Sequence, residues 1–176
     1  PAAVSAQVGS VVLEDGTPES LATAPNMLLS MDPPRHTVFR RPMSPQFKPR
    51  VIAGMEPRIR AICRQIMEEA ARKGTVEFVH EVTSKLPSQV IGELMGLPEE
   101  DWGRLQQWAE MNTSSQDPDI GGDADSSYRQ AGNGLSEMGV YGYQWALKRR
   151  QEEPREDLTS LILETEFAGT HMSEAE

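Results

Sequence analysis

His36 and Arg40 are the residues of this chain whose types and spacing ask for chemistry. Four positions apart, they share one face of any helix that contains them. An imidazole and a guanidinium aimed the same way offer several N–H donors to one anion. The carboxylates of a buried cofactor would be such an anion. Read alone, the same spacing also suits an exposed helix face with no ligand. The surrounding residues decide how the pair is held. Pro33 and Pro34 stop the apolar run Met27–Met31 and open a helix, because proline is tolerated where a helical N–H would lack a partner anyway. Asp32 stands where a side-chain oxygen can cap that helix. The helix is predicted from Pro33 to about Ser44, with Pro42 removing the bond to Val38 and kinking or ending it.

The charge around this helix is unusual for the chain. Over 176 residues, 17 Lys and Arg face 27 Asp and Glu, a formal net charge of −10. Yet residues 33–50 hold Arg35, Arg40, Arg41, Lys48 and Arg50 and no carboxylate. A basic island on an acidic protein suits a negatively charged partner. Nucleic acid is a poor fit, because the overall sign repels it.

Other chemistry is sparse. No nucleophile–base pair, phosphate loop or paired-carboxylate constellation stands out. Three histidines and one cysteine, well separated, make no zinc-type cluster, so no metal ligand is assigned. Cys63 falls on an apolar helical stripe and reads as a buried structural thiol. A lone cysteine excludes an internal disulfide framework and fits a reducing, cytoplasmic setting. Glu68, Glu69, Glu99 and Glu100 read as solvated faces, and His80 and His171 as surface residues. No apolar run approaches the roughly 18 residues that span a membrane, so no membrane partner is expected.

The positioning elements are mostly helical. Residues 8–13 suit a short strand or loop, and 18–24 a short helix. Ile52, Met55, Ile59, Ile62, Cys63, Ile66 and Ala70 space a long helix over 50–72, stopped by Gly74. Val76–Phe78 alternates like a short strand. Val82, Leu86, Val90, Ile91, Leu94 and Met95 face inward from the next helix, which Gly96 and Pro98 stop. Pro98–Asp101 opens another, with Leu105, Trp108 and Met111 on one side. A polar loop over 113–127 leads to a seam through Tyr128, Ala131, Leu135, Met138, Gly142 and Trp145. Its glycines each weaken a helix by roughly 1 kcal/mol relative to Ala, so it depends on packing. Lys148, Arg149 and Arg150 complement its C-terminal dipole. Residues 155–166 form a last amphipathic helix, closed by Phe167 and Gly169. Ser173–Glu176 reads as a capping box that opens a helix just as the sequence stops, and Pro1 replaces a start Met. A piece of a longer protein is the expectation.

Three ordered stretches resemble one family. Met31-Asp32-Pro33-Pro34-Arg35-His36-Thr37-Val38-Phe39-Arg40-Arg41, then Ser44-Pro45-Gln46-Phe47, resembles the C-helix region of bacterial cytochromes P-450. Leu86–Asp101 resembles that family's E helix and the turn after it, and Arg155–Leu161 its H helix. The resemblance spans nearly the whole chain and is nearest to actinobacterial members that oxidise sterols, isoprenoids and other lipids. It implies a mainly α, partial cytochrome P-450 fold running from the B–C loop to the H helix, with at most a short β element. It implies one partial domain over residues 1–176 of a larger haem-dependent monooxygenase acting on a hydrophobic substrate. In that frame His36 and Arg40 bind the haem propionates, and Leu28, Leu29 and Met31 lie beside the substrate. Trp108 and Met111 belong to the helix roofing the pocket. Arg35, Arg41 and Lys48 face a ferredoxin-type electron donor that relays electrons from NAD(P)H. Arg35 departs from an often acidic position, and Pro42 from a usually continuous helix. The family's haem-ligating cysteine loop, its central helix and its Glu-x-x-Arg motif are not among these residues, so no catalytic residue is assigned and the chain alone is expected to be inactive. The alternatives are a haem-free helical binding module and a truncated pseudoenzyme.

Overall fold

The computed structural model describes residues 27–113, 124–167 and 169–171, with side chains from residue 132 onward in the helix that begins at Ala124. The elements expected at 8–13 and 18–24, most of the 113–127 loop and the 173–176 capping box lie outside the described residues. The chain divides into two compact units: residues 1–51 with 162–176, and residues 52–161.

In the first unit a 3-10 turn, Leu28–Ser30, leads through Met31 and Asp32 to helix α1, Arg35–Met43. Pro34 takes the N-cap position, which displaces Asp32 from the capping place expected of it. Asp32 contributes its backbone carbonyl, which accepts the His36 N–H at 3.0 Å. Pro42 ends α1 one residue later. The Ser44 N–H bonds the carbonyls of Arg40 and Arg41, and the chain tightens into a second 3-10 turn, Ser44–Phe47. Strands β1, Glu166–Phe167, and β2, Thr170–His171, form an antiparallel hairpin pairing Phe167 with Thr170. Gly169 supplies the positive φ of +85° in its turn. This corrects the expectation that Phe167 closes a helix. Its ring is buried and stacked on Phe39 of α1, centroids 5.1 Å apart at 18°. That long-range contact makes a strand of residues whose local pattern looked helical.

The second unit is a helical array. Helix α2, Pro49–Lys73, starts just before it, and α3, Lys85–Leu94, α4, Trp102–Thr113, and α5, Ala124–Arg149, follow. Helix α6, Leu158–Glu164, is shorter than the predicted 155–166. Ile62 and Ile66 of α2 meet Val82 and Trp102 in the core, with Ala70, Leu86, Val90 and Leu97 packed around them. Gly74, at φ +80°, ends α2 and bonds the Ala70 carbonyl. Cys63 is half-buried, less than the full burial expected from its place on the stripe. Val76–Phe78 is not a strand. The Glu77 carboxylate accepts the N–H groups of Val79 and His80 and folds the chain into a π-helical turn, Val79–Thr83. Ile91, expected inward, is 48% exposed, since α3 turns only its Leu86/Val90 side to the core.

Two glycines mark where helices close on each other. A Cβ on Gly92 would overlap the Trp102 indole, and one on Gly134 would come within 3.0 Å of Met111. Helix α5 stays continuous through its glycines, against α4. Among the described residues no helix is long and apolar enough to cross a membrane.

Candidate functional site

In the first unit α1 carries the predicted anion face. His36 is half-buried and Arg40 exposed. Neither side chain has a hydrogen bond or ion pair to the described protein. The helix has no acidic residue in its first turn and two arginines in its last. Arg35 lies about 100° around the helix from His36 and is used differently: its guanidinium sits 5.5 Å from the Phe39 ring centroid. Phe39 in turn packs on the hairpin, so Arg35 and Phe39 anchor α1 while the next face carries His36 and Arg40. Arg41 and Lys48 are exposed. Leu28 and Met31 are half-buried and Leu29 is 72% exposed, all just before α1. The structure thus brings His36, Arg40, Leu28, Leu29 and Met31 into one short segment.

Trp108 and Met111 lie on α4, in the second unit. Trp108 is 3% exposed, and its indole N–H donates to Glu137 of α5 at 3.0 Å. Met111 is half-buried. Arg104 stacks over both Trp108 and Tyr141, 4.9 and 5.1 Å from their centroids, and pairs with Asp101 at 3.3 Å. The Tyr141 hydroxyl donates to the other Asp101 oxygen at 2.7 Å. Burial, with that bond, pushes the phenol far above its ordinary range.

Two polar systems escaped sequence reasoning. Arg149, expected to serve the α5 dipole, is buried instead. Its guanidinium donates to Glu152 at 2.8 Å, Asp157 at 3.0 Å and the Ser160 hydroxyl at 2.6 Å. Asp157 also accepts the Ser160 N–H at 2.7 Å, an N-cap bond opening α6. The signal was present in Asp157-x-x-Ser160 after Pro154, but its cation lies a helix away. In the second system Glu110 accepts the Ser84 hydroxyl at 2.5 Å and the buried Gln106 amide at 2.8 Å, and bonds His80 at 2.9 Å. Burial opposes the charge on Glu110, but these bonds outweigh it and hold its carboxyl below the ordinary range. His80 is exposed, as expected, yet tied to this carboxylate.

No family profile matches the chain. It is 31% identical over 166 residues to a steroid C26-monooxygenase of Mycolicibacterium smegmatis, covering 93% of this chain and 36% of that protein. It is also 31% identical to the cyclomarin C epoxidase CymV of Salinispora arenicola, over all of this chain and 43% of that one. Its structure matches Mycobacterium marinum cytochrome P450 CYP268A2, solved in complex with pseudoionone. The TM-score is 0.82 at 28% identity, over 96% of this chain and 40% of that one. The chain is homologous to the bacterial cytochromes P-450. It spans less than half the length of these relatives. The mainly helical architecture with one small hairpin is a partial P-450 fold, as the resemblance implied.

The residues present fit the rim of a haem and not its iron. His36 and Arg40, without partners among the described residues and on a helix free of carboxylates, suit the propionates. Cys63 is the only cysteine and lies within α2 beside core residues Ile62 and Ile66, which does not suit an axial thiolate.

Proposed function

We propose that this chain is part of a haem-dependent monooxygenase that inserts one oxygen atom from O2 into a hydrophobic substrate of lipid, sterol or terpenoid type. The observation that carries this reading is the His36/Arg40 face, two donors without an acceptor among the described residues. Haem b, held there by its propionates, supplies the oxygen chemistry when its iron ligand comes from residues outside this chain. The chain's own work is to bind and orient. Arg40 gives a permanent positive charge to one carboxylate, and His36 adds a directional N–H. Leu28, Leu29 and Met31 offer apolar surface beside the clamp. In the second unit, Met111 of α4 is the proposed apolar substrate contact, with buried Trp108 on the same helix. The relatives' names, a steroid monooxygenase and a pseudoionone complex, support the substrate class.

Exposed Arg35, Arg41 and Lys48 form the proposed docking side for a ferredoxin-type donor, which receives its electrons from NAD(P)H through a reductase. Opposite charge there raises the encounter rate and makes it salt-dependent. The chain alone, with no thiolate to offer the iron, is inactive. Haem titration of a haem-binding protein that contains this chain tests the clamp. His36→Ala with Arg40→Ala should weaken haem affinity by about 10–100-fold, the loss of two charge-assisted bonds. Unchanged affinity removes the clamp, and no haem binding at all favours a haem-free binding module. A thiolate-type carbon monoxide difference spectrum from the isolated chain would overturn its inactivity.

A further inference from the structure

Among the described tyrosines and tryptophans, only two donate their polar hydrogen to a carboxylate. Tyr141 gives its hydroxyl to Asp101 at 2.7 Å, and Trp108 its N–H to Glu137 at 3.0 Å. Trp102 donates to a backbone carbonyl, and the Trp145 N–H has no partner. Neither arrangement offers a base. The two carboxylate-bonded rings are also neighbours, with centroids 5.3 Å apart. Trp108 is buried, whereas Tyr141 lines a surface cleft of about 340 Å³ together with Val140 and Gln144.

We infer that Trp108 and Tyr141 form a reversible one-electron redox pair with Glu137 and Asp101 as their proton acceptors. One electron leaves Tyr141 for a high-potential one-electron oxidant, and the phenolic O–H breaks. Its proton passes along the existing hydrogen bond to Asp101, leaving a neutral tyrosyl radical beside a protonated carboxyl. A small reductant reaching the cleft returns one electron, and the same proton returns to the phenolate oxygen. Proton transfer is required by the surroundings. Arg104, stacked on both rings, disfavours any radical that keeps its positive charge. The acceptors lie within the ~2.6–3.2 Å that proton transfer demands. A hole on buried Trp108 passes to Tyr141 by ring contact and so reaches the surface. The biological source of the oxidant rests on the haem-enzyme reading. The test supplies its own oxidant, so its failure leaves that reading untouched.

Flash-generated ruthenium(III) polypyridyl, mixed with the full chain, is the oxidant to use, with electron paramagnetic resonance and transient absorption as readouts. A tyrosyl radical is expected that Tyr141→Phe removes and Tyr143→Phe does not. Asp101→Asn should slow its formation by about 100-fold or more and Asp101→Glu restore it, as for loss and rescue of a positioned base. Tyr141→Phe should leave a tryptophan radical that Trp108→Phe abolishes. Circular dichroism checks that each variant keeps its helices. The unaltered chain carries a separate test: its radical should form more slowly in deuterium oxide. A radical on Tyr143 or Tyr128, or a rate unchanged by deuterium oxide, overturns the proposal.

Discussion

Arg40 and Arg149 are the same side chain near the C-terminal end of a helix, and the fold treats them in opposite ways. The Arg149 side chain is 1% exposed and donates to Glu152, Asp157 and Ser160. Arg40 projects from α1 with no acceptor from the described protein. A guanidinium that finds its carboxylates within the fold holds the fold together. One supplied with none is available to something else. Charge count or helix position does not separate the two, since both stand in the last turn of a helix; the partners do.

The largest effect should come from emptying the buried site. Arg149→Met leaves Asp157 buried without its cation, and unfolding in urea should show a loss of about 3–5 kcal/mol. A loss under about 1 kcal/mol would place Arg149 with the merely peripheral charges. Ser160→Ala removes the hydroxyl that accepts from both Arg149 and the Arg155 N–H. About 1–3 kcal/mol should go, as buried donors are left unpaired.

The pH dependence sharpens the comparison with a third, half-buried ion. The Glu110 carboxyl is held below its ordinary range, so its contribution is present above its unfolded pKa and is lost as pH falls through the lower folded value. Melting temperature should therefore drop as pH falls below the ordinary carboxylate value of 4.5, and Glu110→Gln should flatten that drop. An unchanged profile in the variant would remove Glu110 from the account. The smallest stability effect belongs to the unpaired site. Arg40→Ala should move stability by less than about 0.5 kcal/mol, the range of surface changes, even though the proposed clamp calls for weaker haem binding in that variant. A large stability loss at Arg40 would break the contrast outright.

The parts legible in the sequence are those set by local rules. The long α2 stripe, the stops at Gly74 and Gly96, and the acidic opening before α4 depend on spacing and backbone freedom within one element. The His36/Arg40 face is legible for the same reason, being fixed by two residues one helical turn apart. What failed depended on partners far along the chain. Phe167 becomes a strand residue because Phe39 stacks on it, and Arg149 is buried because Asp157 arrives from beyond a turn. The π-helical turn failed for a nearer cause. Glu77, read as part of an alternating strand, instead caps the following N–H groups with its own carboxylate, a local competition that a period-two pattern does not reveal.

Gly96 sits at φ +67°, and an added Cβ there would overlap the Asp157 side chain. Backbone and neighbour therefore demand the same residue for unrelated reasons. In evolutionary terms the position has no single-step exit. Asn, which tolerates the backbone, meets the carboxylate, and shortening Asp157 removes the acid that holds Arg149. A substitution in the turn after α3 would therefore reach the cap of α6, and through Asp157 the buried Arg149.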